Sequence, residues 1–186
     1  MHAICCLGNP GPQYAQTRHN VGFLVADLLA TRHRIDLRRH RFRSVFGRGK
    51  IGARDVIVFK PQTFMNDSGD AAWRIAQFFK IPRENFIVVY DDMALELGTI
   101  RLRPGGSDAG HRGLRSVAET LHTTDIARLR LGVSSPPAGM DARAWVLSPF
   151  RPVERERVED MVARGAEALE WWLAEGIESA MNQFNG

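Results

Sequence analysis

Hydrophobic positions along the chain fall into two periods. Ala3–Leu7 (AICCL) is an unbroken apolar run closed by Gly8-Asn9-Pro10-Gly11, the pattern of a buried strand ended by a turn. Asn20–Arg32 carries Val21, Leu24, Val25, Leu28 and Leu29 at helical spacing. Val45–Ile51 and Val56–Phe59 read as two strands joined through Gly52-Ala53-Arg54-Asp55, a hairpin signal. Asn66–Phe79 is a second helix, with Ala72, Ile75, Ala76 and Phe79 on one face and Pro82 beyond its end. Phe86–Tyr90 (FIVVY) is β-branched and aromatic throughout, as a central strand requires. Thr99–Arg103 and Leu129–Val133 alternate apolar residues with arginines, so each has one wet face. His111–Leu121 reads as a helix after the glycine-rich stretch Pro104–Gly110. Pro152 opens the longest helix, which runs to Leu173 and is ended by Gly176, with a short helix over Ile177–Phe184. Strands alternating with helices predict an α/β fold, a single domain over residues 1–186 with a mixed, twisted sheet flanked by helices.

Length and composition agree with one domain, since 186 residues can bury a sizeable core without staples. Cys5 and Cys6 are adjacent in an apolar run and offer no disulfide framework, and no His/Cys spacing suggests a metal site. No apolar run approaches the roughly 18 residues of a membrane span. Met1-His2 leads straight into a strand with no charged leader, so the expectation is a soluble, reducing, cytoplasmic setting without membrane contact.

Charge changes the picture more than its total of +4. Of 25 basic residues 22 are Arg, and residues 1–115 carry 18 basic and 10 acidic groups against 7 and 11 in residues 116–186. The excess peaks between Arg32 and Arg54, with nine Arg/Lys against Asp36 alone. Such asymmetry suits a polyanion-binding surface, and equally a solvated arginine-rich face.

Three polar loops follow strand-like runs, where sites in α/β folds form. They are Gly8–Asn20, Pro61–Asn66 and Asp91-Asp92; a fourth, Gly105–Gly113, brings His111 and Arg112. If the first and third meet, His19 with Asp91 is a general-base pair, the carboxylate fixing the tautomer and stabilising the imidazolium. A capping role is the alternative for each. Asn9 and Asn66 can donate amide hydrogen bonds to a substrate carbonyl, or form turns. Tyr14 and Phe64 can stack on a base or ribose, or pack beneath a loop. Met65 suits a pocket wall. No nucleophile elbow or dinucleotide or phosphate-loop motif is present.

Taken together, Gly8-Asn9-Pro10-Gly11 with Tyr14 and Thr17–Gly22, Lys60–Gly69, Val88–Asp92, Gly110–Ser116, Arg128–Val133 and Ala180-Met181-Asn182 closely resemble the bacterial peptidyl-tRNA hydrolase family. The resemblance is collinear over almost the whole chain. It implies the family's fold, of phosphorylase/hydrolase type, and cleavage of the ester between a nascent or N-blocked peptide and the 3′-terminal ribose of tRNA. Water is the co-substrate and no metal or organic cofactor is needed. By motif position His19 is the general base and Asp91 its orienting partner. Asn9 binds the peptide near its first linkage, which rejects aminoacyl-tRNA with a free amino group. Tyr14, Phe64, Met65, Asn66, His111 and Arg112 fall in the substrate-binding blocks. Arg103 and Arg130 fall where the family clamps the tRNA 5′ phosphate, a role to which bidentate Arg is suited. A monomer is implied by the same resemblance.

Three departures from the family pattern stand out. Arg112 stands where Asn is usual, Ala94 replaces an acidic residue, and Ser107-Asp108-Ala109 replaces a more glycine-rich stretch. Arg is longer, cationic and donor-only. Arg112 therefore raises an alternative, an RNA-binding relative with weak or lost hydrolase activity. A third reading is an esterase acting on another acylated polyanion.

Overall fold

Apolar runs such as AICCL and FIVVY have no polar side to offer water, so each must be covered on both faces. The structure, a computed structural model describing residues 1–186, meets that demand with one seven-stranded sheet between two helix layers. The strands are β1 (His2–Cys6), β2 (Arg39–Arg41), β3 (Ser44–Ile51), β4 (Arg54–Pro61), β5 (Phe86–Asp92), β6 (Ile100–Arg103) and β7 (Ala127–Gly132), in the order β2-β3-β4-β1-β5-β7-β6. β4, β1, β5 and β7 are parallel, and antiparallel strands complete both edges.

The helices are α1 (Val21–Arg32), α2 (Ser68–Phe79), α3 (Arg112–Thr120), α4 (Ala142–Val146) and α5 (Arg155–Phe184). Alternation along β1 sends Ile4 and Cys6 into a core with α1 and α5, and Ala3, Cys5 and Leu7 into a second core with α2 and α3. The same alternation makes β5 fully buried. Glycines permit close approach at two junctions. A Cβ on Gly22 would strike the carbonyls of Leu7 and Val89, and one on Gly69 would strike the Ser116 carbonyl, where α2 meets α3.

Most elements fall where periodicity places them, with differences at the ends. The helix expected from Asn66 starts as a 3-10 turn over Met65–Asp67, and the one expected from Pro152 as a 3-10 turn over Pro152–Glu154. Gly176 (φ 84°) breaks the long helix as expected. The hairpin turn is tighter than the sequence suggests, with β3 and β4 pairing Ile51 to Arg54 around Gly52-Ala53. β2 and α4 have no counterpart in the sequence pattern. Three polar residues show no alternation to detect, and a five-residue helix spans little more than one turn.

The chain leaves β1 across one face of the sheet, through α1, and leaves β4 across the other, through α2. This change of side opens a crevice at the carboxyl ends of β1, β4 and β5.

Candidate active site

Into that crevice project the first three loops picked out from the sequence. Residues Arg18–Asn20 form a single 3-10 turn between β1 and α1, which turns His19 toward the end of β5. Asp91, 2% exposed in its side chain, meets it there: His19 Nδ1 lies 2.8 and 2.9 Å from the two carboxylate oxygens. The first and third loops therefore do meet. The His19 side chain keeps 14% of its surface, enough for a small reactant to reach it.

His111 joins the same carboxylate, with Nε2 2.9 Å from Asp91 Oδ1. Its other nitrogen, Nδ1, accepts the Leu114 backbone N–H at 3.2 Å and caps α3. An accepting Nδ1 bears no proton, so Nε2 carries the hydrogen and donates to Asp91. Asp91 as an ionised acceptor then takes a second donor, His19 Nδ1–H. That assignment leaves the lone pair on His19 Nε2, the atom not held by the carboxylate. Burial by itself would raise the Asp91 carboxyl. The electrostatic pull of the His19 and His111 rings and the hydrogen bonds they donate outweigh it and hold the group well below the usual carboxylate range.

The ligand-type atoms of His19, Asp91 and His111 lie within 4.8 Å of one another, a set that elsewhere holds metal ions. Here one nitrogen of each ring, His19 Nδ1 and His111 Nε2, contacts the carboxylate directly at hydrogen-bond length. A cation would have to displace both N–H protons, so the donor set fits a proton-linked trio better than a metal cage.

The Asn9 side chain is fixed in one sense, because its Oδ1 accepts the Met65 backbone N–H at 2.9 Å and its NH2 group remains for another acceptor. Asn20, which sequence reasoning left without a role, holds the Asn9 backbone from both ends: Oδ1 accepts Asn9 N–H, and Nδ2 donates to Asn9 O, each at 2.9 Å. Its only signal in the sequence is its place beside His19.

Met65 is buried against Gly113, where a Cβ would collide with its sulfur, so α3 and the 3-10 turn at Met65 set each other's position. Phe64 is 60% exposed, Asn66 is exposed, and Tyr14 is half-buried in the first loop. Arg112 is the first residue of α3 and is exposed. The hydrogen bonds of Asp91 run to His19 and His111 and not to it.

Arg103 and Arg130 share the α3 side of the β6–β7 pair, opposite Leu102, Leu129 and Leu131 in the α5 core. Arg103 is exposed, whereas Arg130 Nε donates to Asp92 at 2.7 Å. Arg128, opposite Arg103, is buried and spends its guanidinium on the Ser107 and Thr124 carbonyls.

A second feature missed from the sequence secures the His19 turn. Arg18, 1% exposed, lies under it with Nη2 2.8 and 3.0 Å from the Glu154 carboxylate and its guanidinium 3.8 Å from the Trp145 ring centroid. Arg18 N–H also donates to Ser148 O, and Thr17 bridges Pro149, so the turn is stitched to the segment joining α4 and α5. Partners 136 residues apart leave no local trace.

Comparison with known proteins identifies relatives in both sequence and fold. The family profile described as Peptidyl-tRNA hydrolase matches residues 3–186. A peptidyl-tRNA hydrolase of Caldanaerobacter subterraneus subsp. tengcongensis is 46% identical over 186 residues, covering all of both chains. One from Carboxydothermus hydrogenoformans is 45% identical, covering 100% of this chain and 98% of the relative. Among solved structures, peptidyl-tRNA hydrolase from Acinetobacter baumannii superposes with a TM-score of 0.94 at 32% identity, over 100% of this chain and 95% of that one. Agreement over the full length in both sequence and fold has one meaning: the chain belongs to the peptidyl-tRNA hydrolase family of enzymes.

Proposed function

We propose that the protein hydrolyses the ester between a nascent or N-blocked peptide and the 3′-terminal ribose of tRNA, returning tRNA from prematurely released peptidyl-tRNA. The observation that carries the mechanism is a set of hydrogen bonds converging on Asp91: Leu114 N–H donates to His111, and His111 Nε2–H and His19 Nδ1–H both donate to the Asp91 carboxylate. It leaves one nitrogen of His19 unprotonated and not held by the carboxylate. His19 Nε2 takes a proton from water as the oxygen attacks the ester carbonyl. Asp91 stabilises the imidazolium so formed. The tetrahedral oxyanion collapses, the bond to the ribose oxygen breaks, and the imidazolium returns its proton to that leaving oxygen. General-base assistance of this kind supplies roughly 10²–10⁴-fold, and positioning adds to it.

Asn9 presents its NH2 to a carbonyl of the peptide, since its own oxygen is already taken by Met65 N–H. Asn66, exposed at the mouth, supports the developing oxyanion. Tyr14, Phe64 and Met65 flank the terminal nucleotide, while Arg103 and Arg130 meet the 5′ phosphate. The cytoplasmic setting expected from the sequence belongs to this reading. No helix is long and apolar enough to cross a membrane.

The test is hydrolysis of N-acetyl-aminoacyl-tRNA beside the same tRNA carrying a free amino group. Cleavage of the blocked substrate alone is the expected result, and cleavage of both equally would remove Asn9 from its role. Arg112→Asn is expected to raise KM by no more than about fivefold with kcat unchanged, the worth of one exposed charge contact. An inactive wild type that regains turnover with Arg112→Asn would establish the RNA-binding alternative instead.

A further inference from the structure

The basic residues in and around Arg32–Arg54 divide in the fold by their partners: several are ion-paired, Arg54 Nε donates to Leu173 O, and Arg34 and Arg48, like the β2 pair below, are exposed without an ion pair. Arg32, Arg38, Arg43, Lys50 and Lys60 pair with Glu170, Asp36, Asp70, Asp55 and Asp27. Arg39 and Arg41 on β2 are exposed and form no ion pair with any of the chain's carboxylates. Register places them opposite Phe46 and Ser44, and Phe46 belongs to the α2 core, so both arginines stand on the α2 side of the sheet. Arg41 rests on a platform of two tilted rings, its guanidinium carbon 4.7 Å from the centroids of both Phe42 and Phe78, whose planes lie 46° apart, and Phe78 is 55% exposed. A guanidinium stacked in this way is pre-oriented and keeps its edge donors for a planar anion.

This patch is continuous with the mouth of the site. Gln62 N–H donates to Arg43 O at 2.7 Å, and two residues later the chain reaches the exposed Phe64. It also lies across the site from Arg103 and Arg130. The sheet order puts β2 at one edge, β7 and β6 at the other, and His19 with Asp91 between them, with both basic groups on the α2–α3 side. A substrate whose tRNA end rests on β6–β7 and whose ester reaches His19 sends its peptide toward β2.

We infer that the β2–β3 edge is a peptide subsite that favours acidic side chains, held by Arg39 and Arg41 over the Phe42–Phe78 platform. The inference rests on the proposed function. From β1 to β2 is three strand spacings, about 14 Å. An extended peptide covers that in about four residues, so the carboxylates recognised lie about four to six residues before the ester.

The experiment uses two N-acetylated heptapeptidyl-tRNAs on one tRNA, with Glu or Ser at those positions, and the wild type beside the doubly substituted Arg39→Ser/Arg41→Ser protein. Affinity for deacylated tRNA and the thermal midpoint are measured in parallel. The expected result is a KM about three- to tenfold lower for the Glu peptide in the wild type, the size two exposed ion pairs supply. In the variant that difference vanishes, with tRNA affinity and thermal midpoint unchanged. Equal KM values in the wild type overturn the inference. So does a variant that weakens both peptides and deacylated tRNA alike, which would make the edge an RNA contact. Failure to cleave either peptide overturns the proposed function beneath it.

Discussion

With His19 replaced by Ala, turnover of N-acetyl-aminoacyl-tRNA is expected to fall by about 10²- to 10⁴-fold while the affinity for tRNA holds, because only the proton acceptor is lost. Asp91→Asn reaches a comparable loss by another route. The carboxamide has one acceptor, which His111 Nε2–H engages, and turns an NH2 toward His19 Nδ1. That ring then carries its proton on Nε2, the atom that must be free, a change that costs up to about 10⁴-fold where it has been measured in catalytic His–Asp pairs. Since both changes disable one unit, the double substitution should be no slower than the worse single. Substantial activity in His19→Ala, or losses that multiply in the double variant, would show that the pair does not act as the base.

The largest stability effect is expected at Glu154→Leu, which leaves the Arg18 guanidinium buried without its counter-ion. Removing one member of such a pair costs about 3–5 kcal/mol, or roughly 10 °C in the thermal midpoint of a chain this size. Arg18→Met/Glu154→Leu together should recover part of the loss, since a buried pair replaced by apolar groups leaves no uncompensated charge. Burial raises the Glu154 carboxyl, but hydrogen bonds from Arg151 and the charge of Arg18 outweigh it, and the net shift is downward. A carboxyl lowered in the folded state adds stability that is complete above the unfolded value of about 4.3 and is lost as pH falls through the folded value. Wild type and Glu154→Leu should therefore converge in thermal midpoint under acid. A difference below about 1 kcal/mol at neutral pH would mean that the pair does not anchor the turn.

The part of this molecule legible in the sequence is the part written locally. FIVVY is a central strand because no residue in it tolerates water, and Gly176 stops a helix because only its backbone takes that φ. His19 and Asp91 follow strand-like runs, which suggested a shared crevice and a general-base pair. Their meeting, however, depends on β1 and β5 being neighbours. What stayed hidden depends on long-range placement. By its motif His111 falls among the substrate-binding residues, and its bond to Asp91 arises from where α3 begins. Asn20 looks like a turn residue until the Asn9 backbone is seen in its grasp. Arg18 looks like one more member of a basic chain until Glu154 closes over it. In the same way, nothing local distinguishes Arg41 from its neighbours, because Phe78 comes from another element.

The two adjacent cysteines provide a reporter of the whole fold. Cys5 points into the α2–α3 core and Cys6 into the α1–α5 core, both wholly buried, and burial pushes both thiols well above their ordinary range. Facing opposite ways from the central strand, each is shielded by a different helix layer. An alkylating reagent such as iodoacetamide should therefore leave the folded chain unmarked. Singly labelled chains would record one layer lifting off the sheet, and doubly labelled chains would record the loss of both, so mass spectrometry could distinguish partial opening from complete unfolding.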